Sequence, residues 1–95
     1  MYREVEQIVG EYFGIDPEVI RNGKRLAREG RRFTWYLLHY ALGYKASAIA
    51  REYGVTKRNI LYAVLTIKDN VQVQPQYARH LLSLQAILCE KGILD

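Results

Sequence analysis

The chain has few of the residues that build disulfide frameworks or interrupt a compact fold. Its 95 residues include one cysteine and two prolines, so an internal disulfide is excluded. Cys89 lies among apolar residues, where we expect a small buried side chain rather than a nucleophile. No apolar run approaches the ~18 residues of a membrane-spanning helix, and the first residues do not resemble a signal peptide. We therefore expect a single cytoplasmic domain over residues 1–95 with no membrane partner.

Residues typical of catalytic and metal sites are also scarce. The two histidines, His39 and His80, have no cysteine or acidic partner at the spacing of metal ligands. His39 falls in an apolar segment, where a packed histidine is more common than a catalytic one. No Gly-x-x-x-x-Gly-Lys-Ser/Thr run occurs in these residues. We expect no enzymatic activity, no cofactor and no bound metal.

Positive charge, by contrast, is concentrated in one short segment. The formal net charge is +4, yet residues 21–32 carry six basic residues against the single acid Glu29, so this segment carries +5 and the rest −1. Gly23 and Gly30 space these charges, and we interpret the segment as a basic loop that binds a polyanion. The alternative is a solvated loop that keeps the protein soluble. The basic residues are Arg21, Lys24, Arg25, Arg28, Arg31 and Arg32.

The spacing of apolar residues predicts an all-α fold of about six helices. Gly14 ends the first helix, and Asp16 followed by proline starts a short second helix. Residues 33–42 are apolar almost all round and predict a central buried helix. Residues 71–74 alternate like a strand but are too few to pair, so we interpret them as a linker. Further elements are a helix-turn-helix over about residues 45–68 and a last helix over about residues 75–91.

Eight tyrosines are many for a chain of this length. Stacking on bases is one use of such side chains. Tyr12, Tyr36 and Tyr40 lie on apolar helical faces, however, so we expect them to pack at the edge of the core. Tyr62 is the exception, because its position faces outward.

Residues 45–68 have small and apolar residues where a helix-turn-helix requires them. Ala50 falls where the two helices press together and a larger side chain would not fit. Gly54 permits the tight turn, since glycine takes positive φ freely. Val55 would fill the angle between the helices, and Thr56 would cap the second helix with its hydroxyl.

The second helix of this motif has two distinct faces when its residues are placed at 100° intervals. Arginine can donate two hydrogen bonds to guanine, and asparagine can pair with both edge groups of adenine. Base contacts in such motifs come from the first turns of this helix. We therefore predict base contacts from Arg58, Asn59 and Tyr62, although a solvated first turn would have the same composition. Contacts with the DNA backbone or minor groove are predicted for Lys24, Arg25, Arg28, Arg31, Arg32, Lys45, Thr56 and Lys57.

Three runs carry a resemblance to a known family. They are residues 5–15 (VEQIVGEYFGI), the basic segment running into residues 31–37 (RRFTWYL), and residues 48–54 (AIAREYG). In this order they resemble the C-terminal DNA-binding domain of the bacterial replication initiator DnaA. The resemblance implies a fold related to the Trp repressor, with the second helix of the motif in the major groove. It also implies an arginine in the neighbouring minor groove, for which Arg25 is the best match and Arg28 the next.

The chain departs from that family at the turn. The family's Arg-Asp-His-Thr-Thr run is absent, and residues 54–60 read GVTKRNI, one residue shorter. The base preference should therefore differ from the initiator's. The ATP-binding domain that precedes this module in the initiator is also missing from these residues, so either the module stands alone or the chain is a fragment.

Charge, motif and resemblance together predict sequence-specific binding of double-stranded DNA in a replication-initiator-like or regulatory role. We expect the protein to bind as a monomer, because the basic segment lies outside the helix-turn-helix and could hold a second groove. Replication or regulatory proteins are further candidate partners. The alternative is a protein-interaction adaptor that reuses the fold and offers its basic loop to an acidic partner.

Overall fold

Helices form most of the protein in a computed structural model that describes residues 1–23 and 25–95. Within these residues there are six α-helices and no strand, so the predicted all-α class is confirmed. A 3₁₀ turn, Arg25–Ala27, leads into the third helix, and a π-helical turn, Leu37–Ala41, continues it. The helices are α1 (Tyr2–Phe13), α2 (Pro17–Asn22), α3 (Arg28–Tyr36), α4 (Ala46–Tyr53), α5 (Lys57–Val73) and α6 (Pro75–Glu90).

Local start and stop signals set the ends of the first two helices as predicted. Gly14 follows the last residue of α1. The Asp16 carboxylate accepts a hydrogen bond of 2.9 Å from the backbone N–H of Glu18, and Pro17 occupies the first helical position. Helix α2 ends at Asn22, because Gly23 takes a left-handed conformation with φ 72°.

Helix α3 begins five residues earlier than predicted, at Arg28 instead of Phe33. Gly30 and the dense positive charge suggested a loop, but Gly30 is buried, close to the side chains of Ile15 and Ile20. The Thr34 hydroxyl also donates a 2.8 Å hydrogen bond to the Gly30 carbonyl one turn back. Residues 28–32 therefore lie on a helix, and the predicted basic loop 21–32 is wrong over this part.

The helix-turn-helix begins where predicted and buries the predicted faces, but its second helix runs to Val73, beyond the predicted end near residue 68. Gly54 takes φ 66° at the turn between α4 and α5. The Thr56 hydroxyl accepts a 3.2 Å hydrogen bond from the Asn59 backbone N–H and so caps α5. Ala50 is buried, and Val55 is half-buried against the core. The inner face of α5 is buried as predicted, at Ile60, Ala63, Val64 and Ile67.

The predicted linker over residues 71–74 is largely helical. Helix α5 continues to Val73, and only Gln74 separates it from α6, which starts with Pro75 at its first position. The half-buried Val71 packs against the core, which favours another turn of α5 over an irregular link.

Helix α3 passes through the middle of the core and contacts α1, α2 and α5. Phe33, Leu37 and Leu38, on α3 and its π-helical continuation, are fully buried. Surrounding helices contribute the other large buried side chains, which include Val5, Val9, Ile20, Ile49, Ile60, Ile67, Leu84 and Leu88.

Two predicted core positions are exposed in the structure. Cys89 is exposed, because Leu88 occupies the inner face of α6 and the next residue falls on the outer side. Tyr40 is 56% exposed and stacks on the buried Tyr36, with ring centroids 5.1 Å apart. The predicted packing is confirmed for Tyr36 and for the half-buried Tyr12. No helix in the described ranges has the length and apolar character needed to cross a membrane.

Candidate nucleic-acid interface

A cleft of about 520 Å³ lies between the start of α5 and α3 together with the turn that leads into α3. Arginines line one side, and Asn59 and Tyr62 line the other. We call it the α3–α5 cleft. The structure thus brings together residues that the sequence assigned to a basic loop and to a separate recognition helix. The arginines are Arg25, Arg28, Arg31 and Arg32.

The three more exposed arginines of the cleft are uncompensated, because none of them has an acidic partner in the described residues. Arg25 and Arg28 are exposed and Arg32 is half-buried. Glu29, the one acid of the segment, accepts a 2.8 Å hydrogen bond from the hydroxyl of Tyr77 on α6. The cleft therefore presents a field that attracts anions.

Arg32 and Tyr62 connect the two sides of the cleft. The Arg32 Cζ atom lies 5.9 Å from the centroid of the Tyr62 ring, within the range of a cation–π contact. Tyr62 is exposed on the outer face of α5, as predicted. This contact places a basic residue of α3 beside the first turns of α5.

Arg31 is more enclosed than its neighbours and forms part of the cleft's inner wall. Its guanidinium lies 4.7 Å from the Trp35 ring centroid and 5.4 Å from that of Tyr53, and it donates a 3.4 Å hydrogen bond to the Arg21 carbonyl. Burial lowers the pKa of Arg31. Gly23 has φ +72°, which favours glycine, and a Cβ at this position would displace the Arg31 guanidinium. Arg31 thus shapes the cleft.

Arg21 belongs to a partly buried charge network instead of the cleft. Its guanidinium makes ion pairs of 2.8 Å with Glu6 and 2.7 Å with Glu52. Glu6 is fully buried and also accepts a hydrogen bond from the Tyr53 hydroxyl. Burial, followed by this bond to Glu6, raises the pKa of Tyr53. The network joins α1, α2 and α4. It neutralises the charge of Arg21, which the sequence analysis included in the basic segment.

Sequence reasoning missed this network because its members are far apart in the chain. One signal was available, since Glu6 lies three residues before Val9 on the apolar face of α1. A carboxylate at such a position requires a buried partner.

The remaining predicted contact residues lie around the start of α5. Arg58 and Lys57 are exposed. Asn59 uses its backbone N–H for the cap, while its side chain makes no hydrogen bond to any described residue. The Thr56 hydroxyl is occupied by the same cap. Lys45 is exposed at the start of α4 and does not line the cleft, and Lys24 lies outside the described residues.

The same helix carries an apolar feature that the sequence did not single out. Leu61 and Leu65 are exposed beside Arg58 on the outer side of α5. Their positions, one helical turn apart and away from the buried face, were visible in the sequence.

We found no match to this chain among protein-family models, curated proteins or solved structures. In the described ranges, no three side chains of His, Cys, Asp or Glu are grouped so that they could hold a metal ion. The site is therefore interpreted from its own geometry and charge.

Proposed function

We propose that the protein binds double-stranded DNA with sequence preference. Helix α5 would lie in the major groove, and the arginines of the α3–α5 cleft would contact the adjacent backbone or minor groove. The observation that carries this proposal is the cleft itself, where uncompensated arginines face Asn59 and Tyr62 across one opening. Phosphate contacts give affinity and base contacts give specificity, and a DNA-binding surface needs both.

The first turns of α5 support base reading. Arg58, Asn59 and Tyr62 are exposed on one side of the helix, opposite the buried face. The Asn59 amide is available because the cap engages only its backbone. A major groove of about 12 Å admits an α-helix, and its edges match arginine and asparagine.

One chain would suffice for binding, since the helix and the arginines belong to the same surface. This arrangement agrees with the resemblance to the DnaA C-terminal domain, so we propose a replication-initiator-like or regulatory role. The minor-groove residue is Arg25 or Arg28 in this proposal, because both are exposed and free of ion pairs. Such a role would be exercised in the cytoplasm.

A protein-interaction adaptor is the second candidate function. The observation in its favour is that Arg25 and Arg28 would serve an acidic protein surface as well as a phosphate backbone. An acidic partner, however, gives no reason for arginine and asparagine side by side at the start of α5.

The salt dependence of binding to three different polyanions distinguishes the two functions. A preferred duplex is first selected from random sequences, and fluorescence anisotropy then follows binding to it, to a shuffled duplex and to heparin from about 50 to 200 mM salt. DNA reading predicts that the preferred duplex remains bound when the other two are released. Equal release of all three would reject sequence-dependent binding and favour the adaptor.

A further inference from the structure

An apolar hollow lies on the outer side of α5, next to the proposed base-reading residues. Leu61 is 44% exposed and Leu65 is 54% exposed, and with Tyr62 they line a depression of about 480 Å³. Lys57 and Arg58 complete its rim. We call this depression the leucine hollow.

The leucine hollow has no role in the fold. The core face of α5 runs through Ile60, Ala63, Val64 and Ile67, and the two leucines point away from it. Leucine exposed in this way loses the stabilisation that burial would give. The hollow is therefore a surface that becomes useful when something covers it.

Charge around the hollow restricts what could cover it. Two of its five lining residues are cations and none is an acid. Within α5 the one acid is Asp69, which lies one turn beyond Leu65. The complementary ligand is apolar at the centre and negative at the edge.

A DNA major groove has this chemistry at thymine. The C5-methyl group of thymine is the one apolar group that an ordinary base presents there, and phosphates flank it. The hollow shares Arg58 and Tyr62 with the proposed base-reading surface, so both would enter the groove together.

We propose that the leucine hollow reads thymine, with the C5-methyl group packed against Leu61 and Leu65. This inference rests on the proposed DNA binding and adds a specificity determinant to it. The preferred site would then contain a thymine beside the bases that Arg58 and Asn59 read.

Replacing thymine by deoxyuridine tests the inference, because it removes the methyl group and leaves base pairing unchanged. We expect affinity for the preferred duplex to fall about fourfold at one or two thymine positions, as for one methyl group left in water. Leu65→Ala should weaken binding to the thymine duplex by a similar factor and abolish the further loss on deoxyuridine. Leu61→Ala provides a second variant, and circular dichroism checks that each is helical.

Leu82→Ala is the matched control, because Leu82 is 67% exposed but lies on α6. It should bind both duplexes as the wild type does. If deoxyuridine has no effect anywhere while the preferred duplex is still chosen over a shuffled one, the thymine assignment fails and DNA binding stands. If the leucine variants keep the full deoxyuridine loss, the methyl group is read elsewhere and the assignment also fails. If no duplex is preferred, both proposals fail.

Discussion

The Arg32 guanidinium lies over the Tyr62 ring, with Cζ 5.9 Å from the ring centroid. Arg32 belongs to α3 and Tyr62 to α5, so two segments distant in sequence meet across the cleft. A basic segment and a helix-turn-helix that look separate in the sequence therefore form a continuous surface. We propose that this surface binds DNA.

The first prediction concerns base reading by α5. Arg58→Ala and Asn59→Ala should each weaken binding to the preferred duplex by ~1–3 kcal/mol, because each removes contacts to a base edge. Binding to a shuffled duplex should change little. Arg79→Ala is the control, since Arg79 is an exposed arginine on α6. Equal losses on both duplexes would reject the base contacts.

The second prediction concerns the charge of the cleft. In Arg25→Ala/Arg28→Ala, the slope of log affinity against log salt should flatten by about two units, since each lost phosphate contact removes about 0.9. The flattening is smaller if Arg25 enters the minor groove. Arg79→Ala/Lys91→Ala changes the net charge equally at exposed positions outside the cleft. If both double variants have the same slope, Arg25 and Arg28 do not contact the DNA backbone.

The third prediction concerns the packing of α4 on α5. Ala50→Leu should lower the free energy of unfolding by ~1–3 kcal/mol, because Ala50 is buried and added methylenes strain a packed contact. The same change at Ala86, which is exposed on α6, should have little effect. Thermal melting measures both. A wild-type melting temperature for Ala50→Leu would show that the site has spare room.

The fourth prediction follows from the half-buried Tyr53. Its pKa is raised by burial, and further by its bond to Glu6, so the folded protein favours the neutral phenol. The stabilisation is complete below the ordinary tyrosine pKa of about 10 and is lost as pH rises above it. This happens because the unfolded chain then releases a proton that the folded chain keeps.

Tyr53→Phe should therefore melt at a lower temperature at neutral pH, since the buried Glu6 loses a donor, at a cost of about 1–3 kcal/mol. Its melting temperature should also fall less steeply above about pH 10 than that of the wild type. Leu82→Ala, which changes an exposed side chain of α6 that does not titrate, should retain the wild-type slope. An unchanged slope in Tyr53→Phe would contradict the role assigned to its hydroxyl.

Local signals made the helix-turn-helix predictable. Gly54 and Thr56 act through backbone conformation and a cap within three residues, and the inner face of α5 follows from helical periodicity. Interactions between residues this close in the chain can be predicted from the local sequence. The outward positions of Arg58, Asn59 and Tyr62 follow from the same periodicity.

Tertiary packing decided what could not be predicted. The start of α3 depends on Gly30, which is buried near Ile15 and Ile20. These isoleucines precede Gly30 by ten or more residues, so the local sequence gives no sign of the contact. Arg21 is not part of the basic surface because it pairs with Glu6 on α1, and the sequence does not show that pairing. The cleft itself depends on how α3 approaches α5. For these reasons the candidate contact residues could be predicted from the sequence, but their arrangement around one cleft could not.

The most direct test of the central claim is an NMR titration of the labelled protein with its preferred duplex. We expect the largest amide shifts in residues 25–32 and 56–62, on the two sides of the α3–α5 cleft, and saturation at one chain per duplex. Amides around Leu82 and Ala86, on the outer side of α6, should remain unchanged. Shifts centred on α6, saturation at two chains per duplex, or no shifts with any duplex would contradict the account.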